Sequence, residues 1–103
     1  MRLSISTKLY FNYTLEETIR RVAGHGYPGI EIWGGRPHAY YRDMDSQCVT
    51  IIRRELGKTG LEISGFIPAQ FGYPTSLCSP LKSIREDSVE YLKRSIDTSL
   101  ALG

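Results

Sequence analysis

The sequence has little of what marks the specialised protein classes. Its two cysteines, Cys48 and Cys78, have no C-x-x-C partner, so there is neither a disulfide framework nor a thiolate cluster for a structural metal. No apolar run approaches the ~20 residues a membrane span needs, which argues against a membrane partner. Met1-Arg2-Leu3-Ser4-Ile5 enters a strand-like pattern at once and has no signal-peptide core. On that basis the cysteines read as reduced thiols and the expected location is cytoplasmic. Charge of one sign is also scarce. Thirteen basic and eleven acidic residues are intermixed for a net charge of +2, and no basic stripe exists to track a phosphate backbone, so no nucleic-acid partner is expected. G-x-G-x-x-G, Walker, H-E-x-x-H and nucleophile-elbow motifs are all missing.

What remains is an ordinary globular composition, with 41% hydrophobic and 23% charged residues in 103. A chain of this length buries only about two thirds of its unfolded surface, which leaves a small margin. Leu3-Ser4-Ile5-Ser6-Thr7, Gly29-Ile30-Glu31-Ile32-Trp33 and Gly60-Leu61-Glu62-Ile63-Ser64 each alternate apolar and polar residues, the last running on into Gly65-Phe66-Ile67. Gly-Ile-Glu-Ile at 29 and Gly-Leu-Glu-Ile at 60 repeat one helix-stop and strand-start signature, as consecutive βα units do. Thr14-Leu15-Glu16-Glu17 has the form of a capping box. Leu15, Ile19, Val22 and Ala23 follow on one helical face, and Gly24 and Gly26 stop it. A second helix is expected from Asp45 or Ser46, with Val49, Ile52 and Leu56 inward and Gly57 and Gly60 as stops. Ser83-Ile84-Arg85-Glu86 reads as a second capping box, opening a long third helix with Val89, Leu92, Ile96 and Leu100 inward.

Strands alternating with amphipathic helices predict parallel pairing and right-handed crossovers. Leu3, Ile5, Ile30, Ile32, Leu61 and Ile63 should face the helices. The opposite set is Ser4, Ser6, Glu31, Trp33, Glu62 and Ser64, too polar to sit under a second helix layer. A barrel interior tolerates such a face. The expected fold class is α/β, a β-α-β-α-β-α chain forming the first three units of a (β/α)8 TIM barrel, with residues 1–103 as one segment.

Gly26-Tyr27-Pro28-Gly29-Ile30-Glu31-Ile32-Trp33-Gly34-Gly35-Arg36-Pro37-His38-Ala39-Tyr40 closely resembles the second-strand segment of fructoselysine epimerase-like proteins, within the xylose-isomerase-like TIM-barrel superfamily. Gly65-Phe66-Ile67-Pro68, Gly72-Tyr73-Pro74 and Arg85-Glu86-Asp87-Ser88 resemble the third strand, its exit loop and the next helix of the same group. The resemblance spans the chain but only about three eighths of a family barrel, which takes roughly 250 residues. It implies a sugar, sugar-phosphate or ketosamine isomerase or epimerase. It also implies one divalent cation (Mn, Co, Mg or Zn) held by carboxylates and a histidine on later strands, where two glutamates exchange the substrate proton. No residue here corresponds to those strands, so this stretch is expected to hold no metal ligand and no catalytic residue.

Barrel sites lie at the C-terminal ends of the strands. The residues expected to line a sugar pocket are therefore Trp33, Arg36, His38 and Tyr40 after strand two, and Phe66, Gln70 and Tyr73 after strand three. Trp33 offers a flat wall for sugar C–H faces. His38 suits a hydroxyl or a proton near neutral pH, or is a loop histidine held by a carbonyl. Arg36 suits a phosphate or carboxylate, or pairs with Asp43 or Asp45. Glu31 reads as a hydrogen-bonded barrel carboxylate. His25 precedes strand two on the opposite, stability face, and Glu16, Glu17, Glu86 and Glu90 read as caps and solvated faces. The expected partners are a sugar or sugar derivative, and either further copies of the chain or a complementing C-terminal half. The alternative to an enzyme segment is a non-catalytic remnant that self-associates through open sheet edges.

Overall fold

Two capped helix starts organise the first part of the chain in the computed structural model, which describes residues 1–103. The Thr14 hydroxyl accepts the Glu17 backbone N–H at 3.3 Å and opens α1 (Leu15–Gly24). Glu17 does not complete the box; its carboxylate turns to Arg20 and Arg21 instead. Asp45 caps α2 (Ser46–Thr59), accepting from the Cys48 N–H at 2.8 Å. Gly60 ends α2 at φ +71°, a left-handed conformation that costs an L side chain energy but not glycine. Gly57, expected as a stop, instead lies inside that helix, and Gly60 alone ends it.

The strands β1 (Ser4–Ser6), β2 (Gly29–Gly34) and β3 (Glu62–Pro68) form one parallel sheet in the order β1-β2-β3, with α3 (Lys82–Leu102) last. Short 3-10 turns at Thr7–Tyr10 and Tyr41–Asp43 sit at the ends of β1 and of the loop after β2. This is the α/β sheet-and-helix arrangement of a partial barrel. The register pairs Ile5 with Ile30 and Ile30 with Ile63, so these side chains share the helix-facing side. Ile30 and Ile32 are fully buried there with Leu15, Ile19, Val22, Ile52 and Leu56. No helix is long and apolar enough to cross a membrane.

Four further expectations need correction. Leu3 precedes β1 and is exposed, so it does not join the helix-facing layer. In β3, Ile63 pairs with Ile30 but Gly65, not Ser64, pairs with Glu31. This bulge at Ser64 shifts the alternation, and Phe66 pairs with Ile32 and packs on the helix side. The Ser83 capping box does not form. Leu81 is the N-cap of α3, with no side-chain cap bond, and Ser83 already lies inside the helix.

The fourth correction concerns the inner face of α3. Ser88, Tyr91, Ser95, Thr98 and Leu102 are buried, whereas Val89, Ile96 and Leu100 are 44%, 60% and 76% exposed. Hydroxyl groups can be buried here because the helix satisfies them. Ser88 donates to the Ile84 carbonyl at 2.6 Å, Ser95 to Tyr91 at 2.9 Å and Thr98 to Arg94 at 2.9 Å. The side of α3 that carries these small hydroxyl residues is thus turned inward, and its apolar stripe faces outward.

Candidate functional site

The helix-free face of the sheet is polar toward its N-terminal end, as its alternation predicts, while the bulge in β3 brings Ile67, 41% exposed, beside Trp33 at the C-terminal end. Ser4 and Ser64 share a 2.5 Å hydrogen bond across the strands, and Arg2 pairs with Glu62 at 2.5 Å near the N-terminal ends. Glu31 and Trp33 are half-buried on β2, with Trp33 nearer the C-terminal edge. The buried Thr7 hydroxyl accepts the Trp33 backbone N–H at 2.9 Å, tying the end of β2 to the turn after β1.

The loop leaving β2 folds tightly on itself. The Ala39 N–H donates to the Trp33 carbonyl at 3.1 Å and the His38 N–H to Gly35 at 2.8 Å. A side chain at Gly35 would collide with the Trp33 indole, and one at Gly34 would lie 2.7 Å from the Phe66 ring. The Gly34-Gly35 pair is thus what allows an indole and a phenyl ring to flank this turn. The Arg36–Pro37 peptide is cis.

Arg36 makes a two-point contact with Asp43, at 2.5 and 2.8 Å, and its guanidinium lies 4.7 Å from the Tyr40 ring centre. The pairing raises the Arg36 pKa beyond its ordinary range and lowers that of Asp43. The Tyr73 hydroxyl accepts the Arg36 backbone N–H at 2.6 Å. Tyr40 stacks on Tyr73 at 5.1 Å and on Tyr91 at 6.1 Å. Arg36, Tyr40 and Tyr73 are therefore brought together on one side of the loop.

His38 is placed apart from that group. It is 4% exposed, with Nε2 3.1 Å from the Tyr13 carbonyl and 3.4 Å from the Thr18 hydroxyl. Its ring meets Trp33 edge-on, with centroids 6.0 Å apart. Burial holds its pKa below the ordinary value, with the nearby carbonyls of Tyr13 and Tyr10 working the other way. Gln70 is exposed after β3, at the mouth of a cavity of about 210 Å³ shared with Thr75, Ser76, Leu77, Ser88, Tyr91 and Leu92. Phe66 lies against the helix layer, as described.

Tyr91 is the residue that sequence reasoning missed. It is 5% exposed; its hydroxyl donates to the Gly34 carbonyl at 3.1 Å and accepts the Ala69 N–H at 2.6 Å. Burial raises its pKa. One phenol from α3 thereby joins the exits of β2 and β3. The one available signal was a tyrosine three residues after Ser88 and four before Ser95, on the same stripe.

A divalent cation needs several hard or imidazole donors converging on one point. No three His, Cys, Asp or Glu side chains of this chain do so. Glu31 is the lone carboxylate beside Trp33, His38 faces a carbonyl, and Asp43 is taken by Arg36. The donor set of these residues does not fit a metal site.

The family described as xylose isomerase-like TIM barrel matches residues 19–103. Fructoselysine 3-epimerase of Shigella flexneri is 34% identical over 83 residues, and that of Escherichia coli O157:H7 is 32% identical over 83 residues. Each match covers 81% of this chain and 30% of the relative, so the chain spans about a third of the curated relatives' length.

Proposed function

Since this chain belongs to the xylose isomerase-like TIM-barrel family, we propose that it supplies one wall of the sugar site of an isomerase or epimerase. The observation that carries this reading is Trp33, half-buried at the C-terminal end of β2 on the polar, helix-free face and locked by Thr7, Gly35 and His38. An indole there presents the flat apolar surface on which sugar C–H faces stack, with Glu31 one layer below to accept a hydroxyl. Arg36, Tyr40 and Tyr73 shape the rim around it, and Gln70 extends it past β3. His38 acts from behind the wall, and Phe66 backs the turn from the helix side. The substrate class is a ketose or ketosamine, by similarity to the fructoselysine 3-epimerases.

The proton-exchanging carboxylates and any divalent cation belong, in this proposal, to parts of a family barrel that these 103 residues do not include. The exposed stripe of α3 and the free edge of β3 are where such parts would join. The free thiols Cys48 and Cys78 suit a reducing cytoplasm. The test is an epimerisation assay of the purified 103-residue chain on fructoselysine and on a free ketose, with Mn²⁺ or Co²⁺ added. No epimer is expected. Metal-dependent turnover by the chain alone would overturn the assignment of proton exchange to residues outside it.

A second reading rests on the same apolar stripe. Val89, Ile96 and Leu100 lie in the open, and a non-catalytic chain that self-associates through them would explain that exposure. Association that persists when the stripe is made polar would remove this reading.

A further inference from the structure

We infer that His38 is a positioning residue that ties Trp33 and its loop to α1 only as the neutral imidazole with the proton on Nε2, so that uptake of a second proton releases the wall.

The tautomer follows from counting donors. Nε2 faces two oxygens, the Tyr13 carbonyl and the Thr18 hydroxyl. The carbonyl can only accept. The Thr18 hydroxyl already donates its hydrogen to the Thr14 carbonyl at 2.8 Å, so toward His38 it too can only accept. Nε2 must therefore carry the hydrogen. Nδ1 is then a bare lone pair, and it is buried with no partner. A proton arriving on Nδ1 would create a buried donor with nothing to donate to, beside a newly buried positive charge.

The surroundings offer that charge no counter-ion. On α1, Glu17 is shared between Arg20 and Arg21, and the Arg21 guanidinium lies 4.1 Å from the Tyr13 ring centre. On the turn after β1, Lys8 lies over the Phe71 ring, and Tyr10 and Tyr13 bring only phenols and carbonyls. On the loop, Arg36 and Asp43 neutralise one another. On β2, Glu31 is one layer below Trp33 on the helix-free face. The geometry is thus a tether with one permitted protonation state. Its far end is the edge-on contact with Trp33, backed by the Ala39-to-Trp33 backbone bond. Acid should loosen that tether first at the loop, since the helix end is fixed by the Thr14 cap.

The tether itself requires no sugar chemistry; only its consequence, weaker sugar stacking in acid, rests on reading Trp33 as the pocket wall. Trp33 is the one tryptophan of the chain, so its emission reports the wall directly. In the full chain, ¹³C and ¹⁵N shifts of His38 should show the Nε2–H tautomer at neutral pH. Trp33 emission should shift to the red in step with protonation of the His38 ring as pH falls. His38→Gln, which keeps an N–H for the Tyr13 carbonyl but takes no proton, should emit like the native chain at neutral pH and lose the acid shift. An Nδ1–H tautomer, or an acid shift unchanged in His38→Gln, overturns the proposal. If the native chain unfolds before the ring titrates, His38→Gln should unfold at a lower pH, and unfolding at the same pH overturns it. No sugar enters these measurements, so they succeed or fail separately from the epimerase reading.

Discussion

At the scale of single residues, the turn after β2 is where sequence and geometry meet most closely. Gly35 leaves room for the Trp33 indole, and an alanine there must displace the ring. Gly35→Ala should cost about 1–3 kcal/mol as an overpacking change, read by urea unfolding, and should move Trp33 emission even in the folded chain. Tyr91→Phe removes a hydroxyl that satisfies a buried backbone N–H at Ala69 and holds the Gly34 carbonyl. The stranded donor should cost about 1–3 kcal/mol, again by urea unfolding, with little change in helix content. Trp33, Arg36 and His38 were legible as residues of this loop because the segment is distinctive and strand ends locate it. Their partners were less so. The sequence left Arg36 open between a ligand and Asp43 or Asp45, and the structure pairs it with Asp43. The Tyr91 clip joins residues 57 and 22 positions away, beyond the reach of any local pattern.

The elements themselves divide by whether their local signals agree. In α1 and α2 the cap and the apolar stripe point the same way, and both helices form where these signals put them, although Gly57 does not stop α2 and Gly60 does. Thr14→Ala should weaken the fold by about 1 kcal/mol through loss of its cap, measurable by thermal unfolding. In α3 the apolar stripe misleads, because packing selects the small hydroxyl side of the helix that Tyr91 anchors. Ile96→Glu with Leu100→Lys should therefore change unfolding free energy by no more than about 0.5 kcal/mol per site. A core stripe would not tolerate this. Ser95→Leu, on the face that reads as polar, should instead cost about 1–3 kcal/mol. In β3 the bulge at Ser64 moves Phe66 to the helix side, and no residue pattern in the strand announces it.

For the whole molecule, acid sensitivity should come in two stages. His38 is held below its ordinary pKa of about 6.5, so the unfolded chain binds a proton there first and stability declines as pH falls below that value. Asp43, Asp45 and Glu55 are also held below their ordinary values, by Arg36, by the Cys48 N–H and by Lys58 respectively. Their contribution is present above the ordinary carboxylate range of about 4 and is lost as pH drops through their folded values. Unfolding midpoints collected against pH should show both declines, and His38→Gln should lack the first. The fold class was legible at this scale because the period of βα units and the polar alternate face demand a one-sided helix layer.

The account turns on Trp33 as the wall of a sugar site, and the most direct measurement is the indole N–H resonance of this single tryptophan during titration with fructoselysine. The account predicts a saturable shift at Trp33, with neighbouring changes at Glu31 and no matching response at His25 on the other end of the sheet. A Trp33 resonance that stays put while fructoselysine is raised to saturating levels for a weak sugar site would contradict it.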